Sequence, residues 1–351
     1  MALLEVNDLK THFRTDDGVV KAVDGVSFTV EKGQTLGIVG ESGSGKSVTC
    51  LTIMGLNPRV NTITSGQALW KGKDLLRMNS RQLRQIRGDD IAMIFQDPLS
   101  SLHPFYKVGK QLVEAVQAHQ YVSKETAKER AIEFLGMVGI PDPRRRFDAY
   151  PHEFSGGMRQ RAMIAMALVN EPRILIADEP TTALDVTVQA QILDLIARLQ
   201  RELDMAVILI THDLGVVAEV TDTIAVMYAG RIVEHARKED IFKAPEHPYT
   251  WGLLQSIPRL DRPRDEALIP IPGRPPSLIN LPSGCHFHPR CPYVGDRQRR
   301  IDPGLEPLPD DPGHKVACLL PSETRKRLWQ ELGAGKEPQE ARAEVVEGGL
   351  T

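Results

Sequence analysis

One glycine-rich octapeptide constrains the fold of this 351-residue chain more than any other segment: Gly40-Glu41-Ser42-Gly43-Ser44-Gly45-Lys46-Ser47. It fits the pattern G-x-x-x-x-G-K-[ST] and lies between a predicted strand, Thr35 to Val39, and a predicted helix, Ser47 to Leu56. Glycines let successive backbone N–H groups curl around phosphates, and the helix N-terminus adds the positive end of its dipole. We therefore predict that Lys46 reaches the β and γ phosphates of a nucleotide and that Ser47 ligates Mg²⁺.

Two adjacent carboxylates follow a second strand pattern. Asp178 and Glu179 come directly after the apolar run Ile174 to Ala177, and α/β sheets hold their ligands at the carboxyl ends of their strands. Asp178 is suited to support a bound Mg²⁺, and Glu179 is suited to orient or deprotonate an attacking water. An Asp-Glu pair alone is common at strand ends. Beside a phosphate-binding loop it predicts a nucleotide-hydrolysing site.

Composition narrows the class of protein further. Hydrophobic residues make up 41% of the chain and charged residues 25%, which is typical of a soluble globular protein. The net charge of -3 argues against nucleic acid or an anionic membrane as the main partner. No apolar run approaches the roughly 18 residues that span a bilayer. We therefore expect a cytoplasmic protein whose membrane role, if it has one, comes through a partner.

Strand and helix patterns divide the chain into regions. Residues 1 to about 95 are rich in short strand patterns, and residues from about 100 to 160 have helical periodicity. Strands and helices then alternate from 174 to 227, which predicts a mainly parallel sheet with helices on both faces. A proline-rich stretch predicts an irregular extension over residues 245–325. Residues 326–351 are predicted to form a short helix that frays into a flexible tail.

A third motif suggests that the phosphate site is shared between subunits. Ser155-Gly156-Gly157 begins a predicted helix, Met158 to Leu168, so its hydroxyl and N–H groups would face outward at a positive helix end. The phosphate-binding loop already supplies one helix terminus to a nucleotide. A second anion-binding terminus is most simply explained by a γ-phosphate bound to a partner subunit. The alternative interpretation is an ordinary helix cap.

Taken together, these motifs resemble those of the ATP-binding cassette (ABC) family of transporter ATPases over residues 1 to about 245. The motifs in chain order are Gly40 to Ser47, Gln96, Ser155-Gly156-Gly157, Asp178-Glu179, Ala183-Leu184-Asp185 and His212. The resemblance implies an α/β P-loop NTPase core over residues 1–244. It also implies an antiparallel β portion near the N-terminus and a helical subdomain over about 97–165.

The resemblance assigns a role to each matching residue. Gln96 would touch Mg²⁺ and the attacking water and would hinge the helical subdomain, and His212 would contact the γ-phosphate. Asp185 would communicate with the opposite subunit. Phe13 lies at a plausible place for the aromatic ring that stacks on adenine.

Within the family, the chain is most similar to the ATPases of oligopeptide, dipeptide and nickel importers. The similarity rests on Ala92 to Pro98, Tyr150-Pro151-His152, His247-Pro248-Tyr249-Thr250, Gly284-Cys285 and Pro289-Arg290-Cys291-Pro292. It implies a peripheral ATPase at the cytoplasmic face of the inner or plasma membrane, paired with a paralogous ATPase. Two transmembrane permease subunits and, indirectly, an extracytoplasmic solute-binding protein complete the expected assembly. Alternatives are a nickel or other small-solute importer, a soluble ABC protein acting on nucleic acid or ribosomes, and a phosphate-binding kinase or transferase.

Cysteines in the extension leave a second question open. In the subgroup, four cysteines here can hold an iron–sulfur cluster, and Cys285, Cys291 and Cys318 match three of them. The fourth would fall near Gln298, and glutamine is a poor substitute for a thiolate. The interpretations are an iron–sulfur cluster, a zinc site that uses neighbouring histidines, or a decayed site without metal. The histidines are His286, His288 and His314.

Overall fold

The computed structural model describes residues 2–96, 101–182, 185–256 and 270–347. In chain order its strands are β1 Leu4–Thr15, β2 Gly18–Val30, β3 Thr35–Val39, β4 Thr62–Trp70, β5 Lys73–Asp74, β6 Ile91–Ile94, β7 Ile174–Asp178, β8 Ala206–Thr211, β9 Thr223–Tyr228, β10 Arg231–Arg237, β11 Glu306–Pro307 and β12 Lys315–Val316. Its α-helices are α1 Lys46–Ile53, α2 Ser80–Ile86, α3 Val108–Gln117, α4 Lys124–Met137, α5 Pro143–Arg146, α6 Gly156–Leu168, α7 Val186–Glu202, α8 Leu214–Val220, α9 Lys238–Lys243, α10 Pro248–Gln255, α11 Asp296–Arg300, α12 Ser322–Gly333 and α13 Pro338–Arg342. Leu75–Arg77 and Pro151–Glu153 form 3-10 turns, and Ala343–Glu347 form a π-helical turn.

The N-terminal strands form a four-stranded antiparallel sheet in the order β2-β1-β4-β5. Strands β1 and β2 make a hairpin whose register runs from Leu4 opposite Val30 to Thr15 opposite Gly18. In β2 the alternating residues Val26, Phe28 and Val30 are buried, as expected for a sheet with one face on the core. The antiparallel portion that the family resemblance implied is therefore present.

The main sheet has eight strands in the order β11-β12-β10-β9-β3-β8-β7-β6. Strands β9, β3, β8, β7 and β6 are mutually parallel, whereas β10, β12 and β11 continue the sheet in antiparallel fashion. Every residue of β3, β6, β7 and β8 is buried, which explains their continuous apolar sequences. The parallel strands bring the ends of β3, β7 and β8 to one edge, where the predicted phosphate site lies.

Helices α3, α4 and α6 build the predicted helical subdomain around one hydrophobic core. Leu112, Val116, Ala131, Leu135 and Ala165 are completely buried there. Ser123 caps α4 by accepting a hydrogen bond from the Thr126 N–H at 3.1 Å. Among the described residues, no helix is long and apolar enough to span a bilayer.

The extension after residue 244 has more regular structure than its prolines predicted. Pro248 occupies the first turn of α10, where a missing N–H costs nothing, so it starts this helix instead of preventing it. Strand β12 pairs with β10, with Val316 opposite Glu234, so the extension contributes to the main sheet. The proline-rich sequence did not predict helix α10 or strand β12, because both elements depend on packing against the core.

Residues 322–347 are also more ordered than the predicted fraying helix. Helices α12 and α13 and the π turn bury Leu328, Leu332 and Ala341 against Trp251 and Tyr293. The apolar side chains are spaced along a highly charged sequence and become a core only when α10 faces them. The last four residues, 348–351, lie outside the described residues.

Candidate functional site

The glycine-rich loop joins β3 to α1 in the strand–loop–helix order predicted from the sequence. Gly40, Gly43 and Gly45 have φ angles of 151°, 77° and 104°, in the region that favours glycine. A Cβ atom at Gly40 would lie 2.1 Å from the carbonyl oxygen of Met227, and one at Gly45 would lie 2.2 Å from that of Ala22. The loop therefore needs glycine both for its conformation and for its close approach to neighbouring backbone.

Lys46 lies inside this loop. Its side chain is buried, with only 6% of the residue exposed, and its ammonium donates hydrogen bonds to the carbonyls of Gly40 at 2.8 Å and Glu41 at 3.0 Å. Burial lowers the pKa of Lys46, while the carboxylates of Glu179, Asp178 and Glu41 oppose that shift. The buried Ser44 hydroxyl has no hydrogen-bond partner within the described part of the chain. The loop thus holds a cation and an unused polar group where phosphate is predicted to bind.

Ser47 and Asp178 meet at the start of α1. The Ser47 hydroxyl donates to Asp178 Oδ1 at 2.9 Å, and Asp178 is buried at the end of β7. Burial raises the pKa of the Asp178 carboxyl, although the Ser47 hydrogen bond and nearby Lys46 partly offset this. Hydroxyl and carboxylate oxygens are the donors that Mg²⁺ prefers, so the chemistry of this pair fits that ion.

Two residues that were predicted separately, Gln96 and His212, converge on the carboxylate of Glu179. Gln96 Nε2 donates to Glu179 Oε2 at 2.9 Å, and His212 Nδ1 lies 3.4 Å from Oε1. Glu179 itself adopts a φ of 45°, which is unusual for a non-glycine residue, and its N–H is held by the Ile210 carbonyl at 2.9 Å. Strands β6, β7 and β8 bring these three side chains to one edge of the sheet.

Two residues of this neighbourhood were missed by the sequence analysis. The Thr182 hydroxyl donates to Glu179 Oε2 at 2.9 Å, and the buried Gln160 of α6 donates to the Pro180 carbonyl. A threonine in the turn after the acidic pair was a weak signal, since short polar side chains commonly bond to nearby groups in turns. Nothing in the sequence indicated that Gln160 reaches across from the helical subdomain.

Ser155 and Gly156 lie exposed at the N-terminus of α6. The Ser155 hydroxyl accepts a hydrogen bond from the Met158 N–H at 3.3 Å, which is the capping geometry of the simpler interpretation. A Cβ atom built on Gly156 would meet nothing within 4 Å. None of the hydrogen bonds among the described residues connects this segment with the phosphate-binding loop. The motif is therefore exposed and makes no hydrogen bond to the loop of its own chain within the described residues.

Asp185 and Phe13 lie on two other elements, at the start of α7 and in β1. Asp185 caps α7 by accepting a hydrogen bond from the Val188 N–H at 2.9 Å and is exposed. The other two residues of its motif, 183 and 184, lie outside the described residues. Phe13 is half-buried in β1, opposite Val20 of β2 and Thr62 of β4.

The three C-terminal cysteines are partly buried free thiols. Burial raises the pKa of all three thiols, that of Cys318 to about 11. Gln298 does lie beside them, because its carbonyl accepts a hydrogen bond from the Cys285 N–H at 2.9 Å. Its side-chain oxygen instead accepts from the Gly295 N–H at 3.1 Å. Across the described ranges, no group of three or more His, Cys, Asp or Glu residues could hold a metal ion.

Two family models and several known proteins match this chain. A family model described as "ABC transporter" matches residues 23–182, and one described as "Oligopeptide/dipeptide transporter, C-terminal region" matches residues 233–297. The chain is 54% identical over 319 residues to the dipeptide transport ATP-binding protein DppD of Bacillus subtilis, covering 91% of this chain and 94% of that protein. It is 52% identical over 321 residues to the oligopeptide transport ATP-binding protein OppD of Salmonella typhimurium, covering 92% and 94%.

Solved structures show the same fold. The chain is similar to the ATP-binding cassette MJ0796, solved as a dimer in a post-hydrolysis state bound to ADP and Pi, with a TM-score of 0.60 and 26% identity. That similarity covers 67% of this chain and 98% of the solved one. The similarity to cbiO1 of Clostridium perfringens has a TM-score of 0.58 at 28% identity and covers 69% and 91%. The α/β class predicted from the sequence is therefore confirmed.

Proposed function

The chain belongs to the ATP-binding proteins of the ABC transporter family, and on that premise we propose that it binds and hydrolyses ATP to power a membrane importer of di- or oligopeptides. The observation that carries the proposal is the convergence of Gln96, Thr182 and His212 on Glu179, beside a loop that already holds Lys46. This arrangement provides a base, groups that position it and a phosphate-binding cation. The peptide cargo is supported by the relatives, which are named as dipeptide and oligopeptide transport proteins.

In the proposed reaction, the loop N–H groups and Lys46 bind the β and γ phosphates of ATP. Ser47, Gln96 and Asp178 would hold Mg²⁺, which when bound neutralises phosphate charge. Glu179 accepts a proton from water as the water oxygen attacks the γ-phosphorus and the bond to ADP breaks. Gln96, Thr182 and His212 orient the carboxylate and the water around it. Phe13 would stack on the adenine ring.

The exposed Ser155 motif supports a site completed by a second subunit. Its hydroxyl and helix N-terminus are exposed and make no described hydrogen bond to the loop of their own chain, so they are available to a γ-phosphate bound elsewhere. We infer that two cassettes bind head to tail, with a paralogous ATPase as the partner, and that Asp185 lies at their interface. Closure would move two permease subunits through the helical subdomain. The chain would then act peripherally at the cytoplasmic face of the membrane, downstream of a solute-binding protein.

The C-terminal cysteines contribute no step to this mechanism. The described residues hold no group of three or more His, Cys, Asp or Glu side chains that could bind a metal ion, and the glutamine at position 298 is a poor substitute for a thiolate. Iron, sulfide and zinc contents of the full chain purified without oxygen test this directly. We expect less than stoichiometric metal, and one cluster or zinc ion per chain would contradict it.

The cargo is tested with the assembled transporter. The full chain would be copurified with its permease subunits and paralogue in lipid nanodiscs, and ATP hydrolysis measured with the binding protein loaded with di- or oligopeptides. We expect peptides to stimulate hydrolysis, and the same complex carrying Glu179→Gln supplies the background rate. Stimulation by nickel chelates and not by peptides would overturn the proposed cargo while leaving the ATPase assignment in place.

A further inference from the structure

A buried ion pair joins the C-terminal extension to the phosphate-binding loop. Arg290 donates to both carboxylate oxygens of Glu41, at 2.6 Å from Nη1 and 3.0 Å from Nη2. The Arg290 side chain is only 3% exposed, whereas that of Glu41 is 30% exposed. Glu41 is the second residue of the loop. Arg290, which is 249 positions away in the sequence, therefore contacts the loop directly.

Arg290 is held in place on its other side. Its Nε donates to the Pro272 carbonyl at 2.8 Å, and Nη2 also donates to the Ile271 carbonyl at 3.3 Å. The guanidinium lies 5.8 Å from the centre of the Tyr228 ring, at the end of β9. These contacts hold the planar guanidinium independently of the Glu41 carboxylate. A two-pronged arginine–carboxylate contact is strongest when the guanidinium is held in this way.

Glu41 is tied at three points, two of them by the extension. Its backbone N–H donates to the Tyr249 hydroxyl at 2.9 Å, and its carboxylate accepts from Arg290. Its carbonyl accepts from the Lys46 ammonium at 3.0 Å. The extension thus sets the position of the carbonyl that holds the phosphate-binding lysine.

The negative charge of Glu41 makes its contact with Arg290 important for nucleotide binding. A carboxylate in a loop that receives phosphate would repel the ligand and attract Lys46 away from it unless its charge is compensated. Arg290 supplies that compensation from a buried position, through two hydrogen bonds to the carboxylate. We propose that Arg290 is a positioning residue of the ATP site, which neutralises Glu41 and fixes the phosphate-binding loop from the extension. This rests on the proposed ATP binding and does not depend on the cargo.

The test is the affinity of the isolated full chain for a fluorescent ATP analogue. Arg290→Met should weaken binding by about tenfold or more, because it leaves the Glu41 carboxylate unpaired in the loop. Glu41→Gln alone should weaken binding less than Arg290→Met, because it leaves no unpaired carboxylate in the loop. The double variant Glu41→Gln with Arg290→Met should recover most of the loss, since the unpaired charge is gone. Arg290→Lys, which keeps the charge without the two-pronged contact, should fall between Arg290→Met and the unaltered chain.

A matched control separates positioning from stability. Arg325 forms a more deeply buried pair with Glu246 at 2.5 Å in the same extension, and its described hydrogen bonds go to Glu246, Cys318 and Leu320 and not to the loop. Arg325→Met should lower the melting temperature as Arg290→Met does, yet leave the ATP affinity of the folded protein unchanged. The proposal is overturned if Arg290→Met binds the analogue normally, if the double variant shows no recovery, or if both arginine variants lose affinity equally. Failure of the unaltered chain to bind ATP would instead contradict the proposed function.

Discussion

At the scale of single residues, the proposed chemistry depends on the carboxylate of Glu179. Glu179→Gln keeps an oxygen that can accept hydrogen bonds from Gln96 and Thr182 but removes the proton acceptor. We expect ATP affinity to be retained and the hydrolysis rate of the assembled complex to fall by about 100-fold or more. Phosphate release and nucleotide binding measured on the same preparation check both parts. A turnover near that of the unaltered complex would remove Glu179 from the mechanism.

Local patterns located some site residues and could not locate others. Lys46, Ser47 and Asp178 were predictable because loop, helix start and strand end are local features of the sequence. Thr182 and Arg290 were not, because their roles arise from contacts made only after folding. Arg290 reaches Glu41 across 249 residues, and its neighbours in sequence gave no signal of that contact.

At the scale of elements, helix α10 anchors the extension through a buried histidine. His247 precedes α10, is only 1% exposed, and its Nδ1 accepts a hydrogen bond from the Tyr249 N–H at 3.0 Å. Burial lowers the pKa of His247 to about 4, with nearby Arg325 acting in the same direction and Glu234 opposing it. The unfolded chain, in which histidine has a pKa of about 6.5, therefore binds this proton first.

This histidine predicts a loss of stability in acid. The contribution of His247 is complete above pH 6.5 and decreases as the pH falls toward 4, which amounts to about 2 kcal/mol at pH 5. His247→Asn keeps a side chain suited to capping a helix and removes the titration. Urea unfolding at pH 7.5 and 5.0 should show a smaller difference between the two pH values in this variant. An equal difference in both proteins would contradict the role given to His247.

Elements buried on both faces were the most predictable. The sequence predicted β3 with its observed bounds and predicted β7 to within one residue at one end, because fully buried strands are continuous apolar runs. Strands β10 and β12 were not predicted. Their residues mix charged and apolar side chains, and one of them, Glu234, is completely buried by contacts with the extension. The position of such a strand depends on the strands that pair with it and on the extension that packs against it.

At the scale of the whole molecule, the two predicted anion-binding features of the chain differ in exposure. Lys46 is buried in its own loop, whereas Ser155 is exposed at the start of α6. The sequence predicted these two separate motifs. We propose that a complete site needs two cassettes, so substitution of Ser155 should affect hydrolysis without affecting ATP binding by the isolated chain.

One paired measurement tests this account most directly: ATP hydrolysis by the assembled transporter and ATP affinity of the isolated chain, each with Ser155→Arg. The control is Ser123→Arg, which alters another exposed serine that caps a helix of the same subdomain. We predict that Ser155→Arg abolishes hydrolysis while affinity stays unchanged, and that Ser123→Arg retains hydrolysis. Normal hydrolysis with Ser155→Arg, or loss of ATP affinity in the isolated chain, would contradict a site completed by the partner cassette.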